Sequence, residues 1–277
     1  MDLLKRSISA VFLIALLVSV LLLGGWYLVA ATILINFFMT LDVTHALKAG
    51  GYSVNRIVLL TTALLAAPAL YFFGILGYFM LTAVAMCILA ACVVLSKTPN
   101  FKAFAAGVFT LVYPLLPGAL MITVALQCVA RGDSLGALLL GAACIYACIA
   151  DTFAYAGGRL FGKRKLCPAI SPKKTVAGCI ASFVGGAAAG VLLYFMALHW
   201  AKTAEIALVH WLIMGVACGG FAQIGDLIAS MLKRFCGVKD FGAYIPGHGG
   251  IMDRMDSIMI CAVAVLVYVQ IFAMEIL

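Results

Sequence analysis

An all-α, polytopic integral membrane protein with about nine transmembrane helices is the fold class this sequence predicts, and three observations predict it. Hydrophobic residues make up 66% of the 277-residue chain and charged residues only 10%, against about 25% charged in a soluble domain. Apolar runs close to the roughly 20 residues needed to cross a hydrocarbon core recur from one end to the other. Basic residues gather in short segments between those runs, the asymmetry that orients membrane proteins. The formal charge of +8 therefore reads as membrane topology, which makes the lipid bilayer the partner and argues against nucleic acid.

The elements follow in order. Lys5 and Arg6 precede a first apolar run, 8–23. A secretory leader would look similar, but no small-residue cleavage site follows, so a spanning helix is expected. The second run, 26–41, ends at Asp42, and a polar stretch from His45 to Arg56 follows. Runs 57–73 and 75–95 are joined by a tight turn at Gly74. Lys97 to Lys102 form a basic loop, and run 104–130 is expected to kink at Pro114 and Pro117, where freed carbonyls need neighbouring helices. Arg131-Gly132-Asp133-Ser134 reads as a polar turn, not an adhesion tripeptide. Run 135–150 delivers Asp151 at its end. Run 176–198 is rich in Gly and Ala, which favours close helix packing. Run 206–232 contains Asp226, and run 257–277 closes the sequence.

Nine spans with a cytoplasmic N-terminus place every one of the eighteen Lys and Arg except Arg131 and Lys202 on the cytoplasmic side. Eight or ten spans break that asymmetry. The same topology puts segments 151–175 and 233–256 on one face, open to cytosolic solutes. A single membrane-embedded domain, 1–277, is expected, with N-terminal spans in 1–135 and the spans and cytoplasmic loops bearing the candidate catalytic residues in 136–277. A bacterial inner membrane is the expected location. The ten cysteines form no C-x-x-C pair and mostly fall inside apolar runs, where they act as small hydrophobes; Cys144 and Cys148, one helical turn apart, read as packing residues for want of a nearby ligand cluster. His45, His199 and His210 read as interfacial or packing residues.

Charge is concentrated between Asp226 and Asp256, which hold four of the ten acidic residues and four of the eighteen basic ones. Asp226, Asp253 and Asp256 offer hard oxygen ligands suited to Mg²⁺, which takes one or two carboxylates and completes its shell with water and substrate phosphates. Lys233, Arg234, Lys239 and Arg254 suit phosphate oxygens. Pro246-Gly247-His248-Gly249-Gly250 supplies a turn largely without β-carbons, so that amide N–H groups approach an anion. Metal-assisted phosphoryl or nucleotidyl transfer is the chemistry implied. Each residue also has a structural reading: Asp226 as the partner of a Lys or Arg from another helix, Asp253 and Asp256 as caps of the last helix, Arg254 as an interfacial residue.

Ser230-x-x-Lys233-Arg234-x4-Lys239-Asp240, continuing to His248-Gly249-Gly250-x-x-Asp253-Arg254-x-Asp256, resembles the signature of the phosphatidate cytidylyltransferases, or CDP-diacylglycerol synthases, with every fixed position filled. A second block, Asp151, Tyr155, Gly158-Arg159-x-x-Gly162-Lys163 and Ser171-Pro172-Lys173-Lys174-Thr175, is similar to another part of that family. The resemblance is confined largely to 140–260, and Ala177 stands where family members usually carry Glu. It implies transfer of cytidylyl from CTP to phosphatidic acid, with Asp226 and Asp253 holding Mg²⁺, Asp256 supporting, and a second cation such as K⁺. It further implies that Lys233, Arg234 and Arg254 serve catalysis, and that Asp151, Tyr155, Ser171, Lys173, Lys174, Thr175, Lys239, Asp240, His248, Gly249 and Gly250 bind substrate or nucleotide. The small-residue surface at Gly185-Gly186 allows a homodimer. Two rival readings are a CTP-dependent lipid kinase acting on a polyprenol-type alcohol and an ion-coupled transporter using Asp151 and Asp226.

Overall fold

A computed structural model describes residues 2–132, 134–201, 206–242 and 249–272, with side chains from residue 11 onward except at residue 200 and residue 201. The helices are α1 (Asp2–Leu23), α2 (Gly25–Ala49), α3 (Arg56–Val94), α4 (Phe101–Thr110), α5 (Leu116–Arg131), α6 (Leu135–Phe161), α7 (Val176–Met196), α8 (Leu208–Phe235) and α9 (Met252–Phe272). Seven described helical stretches, with α4 and α5 counted as one, are long and apolar enough to cross a membrane. The protein is thus an all-α polytopic membrane protein. These seven compare with nine expected runs. The difference lies in α1, whose described apolar part, Val11–Leu23, is shorter, and in α3, which holds two runs.

At 39 residues α3 is too long for one span, and it does not run straight. Gly74 takes φ 63, ψ −156 within it, a region open to glycine and strained for other residues. The Asn55 amide nitrogen lies 3.3 Å from Cys92 Sγ, 37 residues later. Along a straight helix those positions would be separated by about 55 Å, so the chain reverses at Gly74 and its limbs pack side by side. Leu59 and Ala63 of one limb accordingly share a buried cluster with Ala85 and Leu89 of the other and with Leu111 and Leu115. The limbs are 56–73 and 75–94, and the tight turn is the one expected at Gly74.

Two compact units emerge, one of residues 1–132 with 233–255, the other of 133–232 with 256–277. In the first, α2 packs against α3 and α5. Its expected break at the prolines is a five-residue π-helix, Leu111–Leu115, in which Tyr113 leaves helical geometry and the Tyr113–Pro114 peptide is cis. Asp42, expected at the end of its run, is interior to α2, which continues to Ala49. Segment 233–255 joins this unit through its start: Tyr52 stacks on Phe235 at 4.8 Å.

In the second unit, α6 packs along α7, and a two-stranded antiparallel hairpin links them: β1 (Lys165–Cys167) and β2 (Ser171–Thr175), with Lys165 opposite Thr175 and Cys167 opposite Ser171. Ser182 of α7 donates to the Gly219 carbonyl of α8 at 2.9 Å, and Tyr146 of α6 donates to the Trp211 carbonyl at 2.8 Å. Glycine lets α7 and α8 come this close. A β-carbon on Gly186 would strike the Gly215 carbonyl, and one on Gly185 would strike Phe153. Both glycines are buried within the unit, so the surface read as allowing a homodimer is consumed by internal packing.

Candidate active site

The first unit builds a closed clasp from the charged segment. Lys233, in the last turn of α8, donates to Asp253 Oδ1 at 2.8 Å, and its ammonium lies 5.3 Å from the centre of the Phe241 ring, a distance at which a cation is attracted to the ring face. Asp253 Oδ2 accepts from the backbone N–H of Phe241 at 2.8 Å and of Gly250 at 3.1 Å. One carboxylate therefore ties the end of α8, the loop and the start of α9 together, and only 4% of its side chain is exposed. Gly249 has φ +79, and a β-carbon there would sit 2.8 Å from Asp253 Oδ2. Gly249 is thus required both by backbone conformation and by the space the carboxylate fills.

A residue absent from the expected set completes this clasp. Asp42 of α2 is fully buried, and its Oδ2 accepts from the backbone N–H of Met252, the first residue of α9, at 2.9 Å. Arg234, Lys239, Asp240 and Arg254 are exposed. His248 lies outside the described residues.

The second unit holds a more open pair. Lys174 of β2 donates to Asp226 Oδ2 at 2.7 Å, with Asp226 exposing 33% of its side chain. Ser230, one turn on, donates to Asp226 Oδ1 at 3.3 Å. Lys174 also reaches the Gln223 carbonyl at 3.4 Å, while the Gln223 amide donates to Asp151 Oδ1 at 3.3 Å. Asp151 lies within electrostatic reach of Lys174 and Asp226. Segment 151–175 and Asp226, distant in sequence, are thereby brought together. Gln223 was not among the expected residues; the signal for it was an amide inside an apolar run, one helical turn before Asp226.

The other expected residues of this unit lie on α6, β2 and α9. Thr175 Oγ1 accepts from Gly178 N at 3.1 Å and caps α7, so its hydroxyl has a structural use, and the residue is only 6% exposed. Ser171 is half-buried and Lys173 exposed on β2. Tyr155 is exposed, its hydroxyl within 3.4 Å of Arg159. Asp256 Oδ1 accepts from the N–H of Ser257 at 2.7 Å. Gly225, immediately before Asp226, lies against the Asp256 backbone, where a β-carbon would collide with its carbonyl.

The donor set bears on a metal ion. Among the described residues no three His, Cys, Asp or Glu side chains gather as a ready-made metal cluster. Mg²⁺, however, needs only one or two protein carboxylates. Asp226 and Asp253 each already receive a lysine ammonium, a positive charge in the place a cation would fill. Asp226 exposes 33% of its side chain, and the Asp256 backbone lies against its neighbour Gly225, so two carboxylates, the number Mg²⁺ takes, belong to this unit. Asp253 has both oxygens engaged by three donors and is the less open ligand.

Seven helical stretches apolar enough to cross a membrane, together with the Lys174–Asp226 and Lys233–Asp253 pairs, make this a polytopic membrane protein that carries paired charged side chains. Residues 4–272 match the profile of the Cytidylyltransferase family, and the chain belongs to that family. It is similar to the phosphatidate cytidylyltransferase of Staphylococcus saprophyticus subsp. saprophyticus, 47% identical over 111 residues, covering 40% of this chain and 41% of the relative. The Haemophilus influenzae phosphatidate cytidylyltransferase is 36% identical over 166 residues, 59% of this chain and 55% of that protein. The Staphylococcus aureus (strain COL) protein of the same name is 42% identical over 113 residues, 40% and 41% respectively. The chain thus matches between about two fifths and just over half of the length of these relatives.

Proposed function

We propose that this protein is a phosphatidate cytidylyltransferase, converting CTP and phosphatidic acid to CDP-diacylglycerol and diphosphate in phospholipid biosynthesis. The observation that carries the reading is the pairing of residues that the resemblance implicates: Lys174 with Asp226 and Lys233 with Asp253, each at hydrogen-bond distance. The relatives named phosphatidate cytidylyltransferase supply the substrates. The lipid phosphate is already an anionic nucleophile and needs no general base. Its oxygen attacks the α-phosphorus of CTP, a new P–O bond forms, and the bond from the α-phosphorus to the bridging oxygen breaks to release diphosphate.

The chain's own residues hold and neutralise the reactants. Lys173, Lys174, Arg234, Lys239 and Arg254 share the phosphate oxygens, Arg by forks and Lys as point charges. Lys233 keeps Asp253 in place. Asp226 and Asp256 would hold Mg²⁺, with a second cation such as K⁺, while Asp253, its oxygens taken by three donors, is the less open ligand. When bound, these ions shield the repulsion between two polyanions and stabilise charge in the transition state. The orientation that fits is a cytoplasmic N-terminus and cytoplasmic loops in a bacterial inner membrane, so that CTP arrives from the cytosol while the acyl chains stay in the bilayer.

The test is detergent-purified protein given CTP, Mg²⁺ and either phosphatidic acid or a polyprenol. CDP-lipid with diphosphate is expected from phosphatidic acid. Phosphorylated polyprenol with CDP would overturn the reading in favour of a lipid kinase.

A further inference from the structure

Asp42 lies far in sequence from the signature, yet it reaches the start of α9. Its Oδ2 accepts from the backbone N–H of Met252 at 2.9 Å, and the backbone N–H of Ile251 lies within its electrostatic reach. The first N–H groups of a helix have no partner within the helix, and a carboxylate placed there also meets the positive end of the helix dipole. A β-carbon on Gly250 would collide with this same oxygen, so the residue before Ile251 must be glycine for Asp42 to dock. The turn 249–252 is therefore gripped from two sides, by Asp42 from α2 and by Asp253, whose Oδ2 accepts from Gly250 N. Asp42 Oδ1 is buried without a hydrogen-bond partner among the described residues. A carboxylate kept in apolar surroundings with half its lone pairs unused is costly, and packing alone does not call for one.

We propose that Asp42 is a positioning residue for the reaction: by capping α9 from α2 it fixes the direction in which Asp253 leaves that helix and hence the geometry of the Lys233–Asp253 pair. The inference deepens the proposed function and rests on it. It also gives the N-terminal half a part in the chemistry.

The experiment compares the parent protein with Asp42→Ala and Asp42→Asn, using steady-state CDP-lipid synthesis and hydrogen exchange of the peptide covering 249–256. Partners that orient a ligating group change activity by about 10–100-fold when lost. Asp42→Ala is expected to lower kcat within that range, to leave KM for CTP within about twofold, and to speed exchange at Ile251 and Met252. Asp42→Asn keeps an acceptor oxygen of the same reach and is expected to restore most of both properties. Unchanged kcat and exchange in Asp42→Ala would overturn the proposal. So would an Asp42→Asn protein as inactive as Asp42→Ala, since that would mean the charge itself is used. If Asp42→Ala is not recovered folded, Gly250→Ala takes its place, because the new β-carbon displaces the Asp42 oxygen; full kcat in that variant overturns the proposal equally. A parent without CDP-lipid synthesis, in which exchange at 251–252 still depends on Asp42, would sink the proposed function and not the contact.

Discussion

Lys233–Asp253 and Lys174–Asp226 are nearly equal in length, 2.8 and 2.7 Å, and their lysines are nearly equally shielded, at 16% and 15% side-chain exposure. Their carboxylates are not alike. Asp253 exposes 4% of its side chain and accepts from three donors, whereas Asp226 exposes 33% and adds only a serine hydroxyl at 3.3 Å. The same two residue types have thus been put to different uses. In the first unit the pair is a fastener holding a loop, and in the second it is an open acceptor, which under the proposed function yields its lysine to a phosphate or takes a cation in its place. Burial decides the difference, because a shielded pair is costly to break and an exposed one exchanges freely with water and solutes.

Substitutions can break or sharpen this contrast. The largest effect is expected for Asp226→Asn, which should lower CDP-lipid synthesis by on the order of 10²–10³-fold, the scale for loss of an electrostatic contact at a reacting centre, while thermal unfolding in detergent stays close to the parent's. Asp253→Asn should instead show in stability. Removing one partner of a buried pair costs about 3 kcal/mol or more, so its unfolding midpoint should lie several degrees below that of Asp226→Asn. Equal midpoints for the two variants would erase the distinction between fastener and open acceptor. Lys174→Ala should reduce kcat/KM for CTP about tenfold, the worth of one charge-assisted contact, as read in CTP titrations. The smallest effect belongs to Thr175→Ala, which removes the cap of α7 and should cost about 1 kcal/mol of stability, with Thr175→Ser recovering most of it in the same unfolding assay.

The spans were legible in the sequence because a bilayer leaves little freedom: every apolar run has to be a helix when no water is present to satisfy its backbone. The reversal at Gly74 was legible too, since two runs that together exceed one membrane thickness meet at a single glycine. The hairpin at 165–175 was not, because strands of three and five residues rich in lysine carry no hydrophobic alternation. For Asp226 the chemistry of an intramembrane carboxylate announced a cationic partner, but not that Lys174 of a hairpin would supply it. Asp42 was missed for a different reason. A lone aspartate at the edge of an apolar run looks like a helix boundary, and a contact made across 210 residues leaves no periodicity to read. Gly249 and Gly250 read as an anion-binding turn, and the structure gives them a further duty, leaving space for the carboxylates of Asp253 and Asp42.

The most direct test of cytidylyl transfer is to follow the phosphorus of CTP. Purified protein is incubated with phosphatidic acid, Mg²⁺ and CTP labelled at either the α- or the γ-phosphorus, and the lipid and aqueous phases are counted separately. The account predicts α-label in the lipid phase and γ-label in aqueous diphosphate. Label from the γ-phosphorus in the lipid, with the α-label left in CDP, would contradict it.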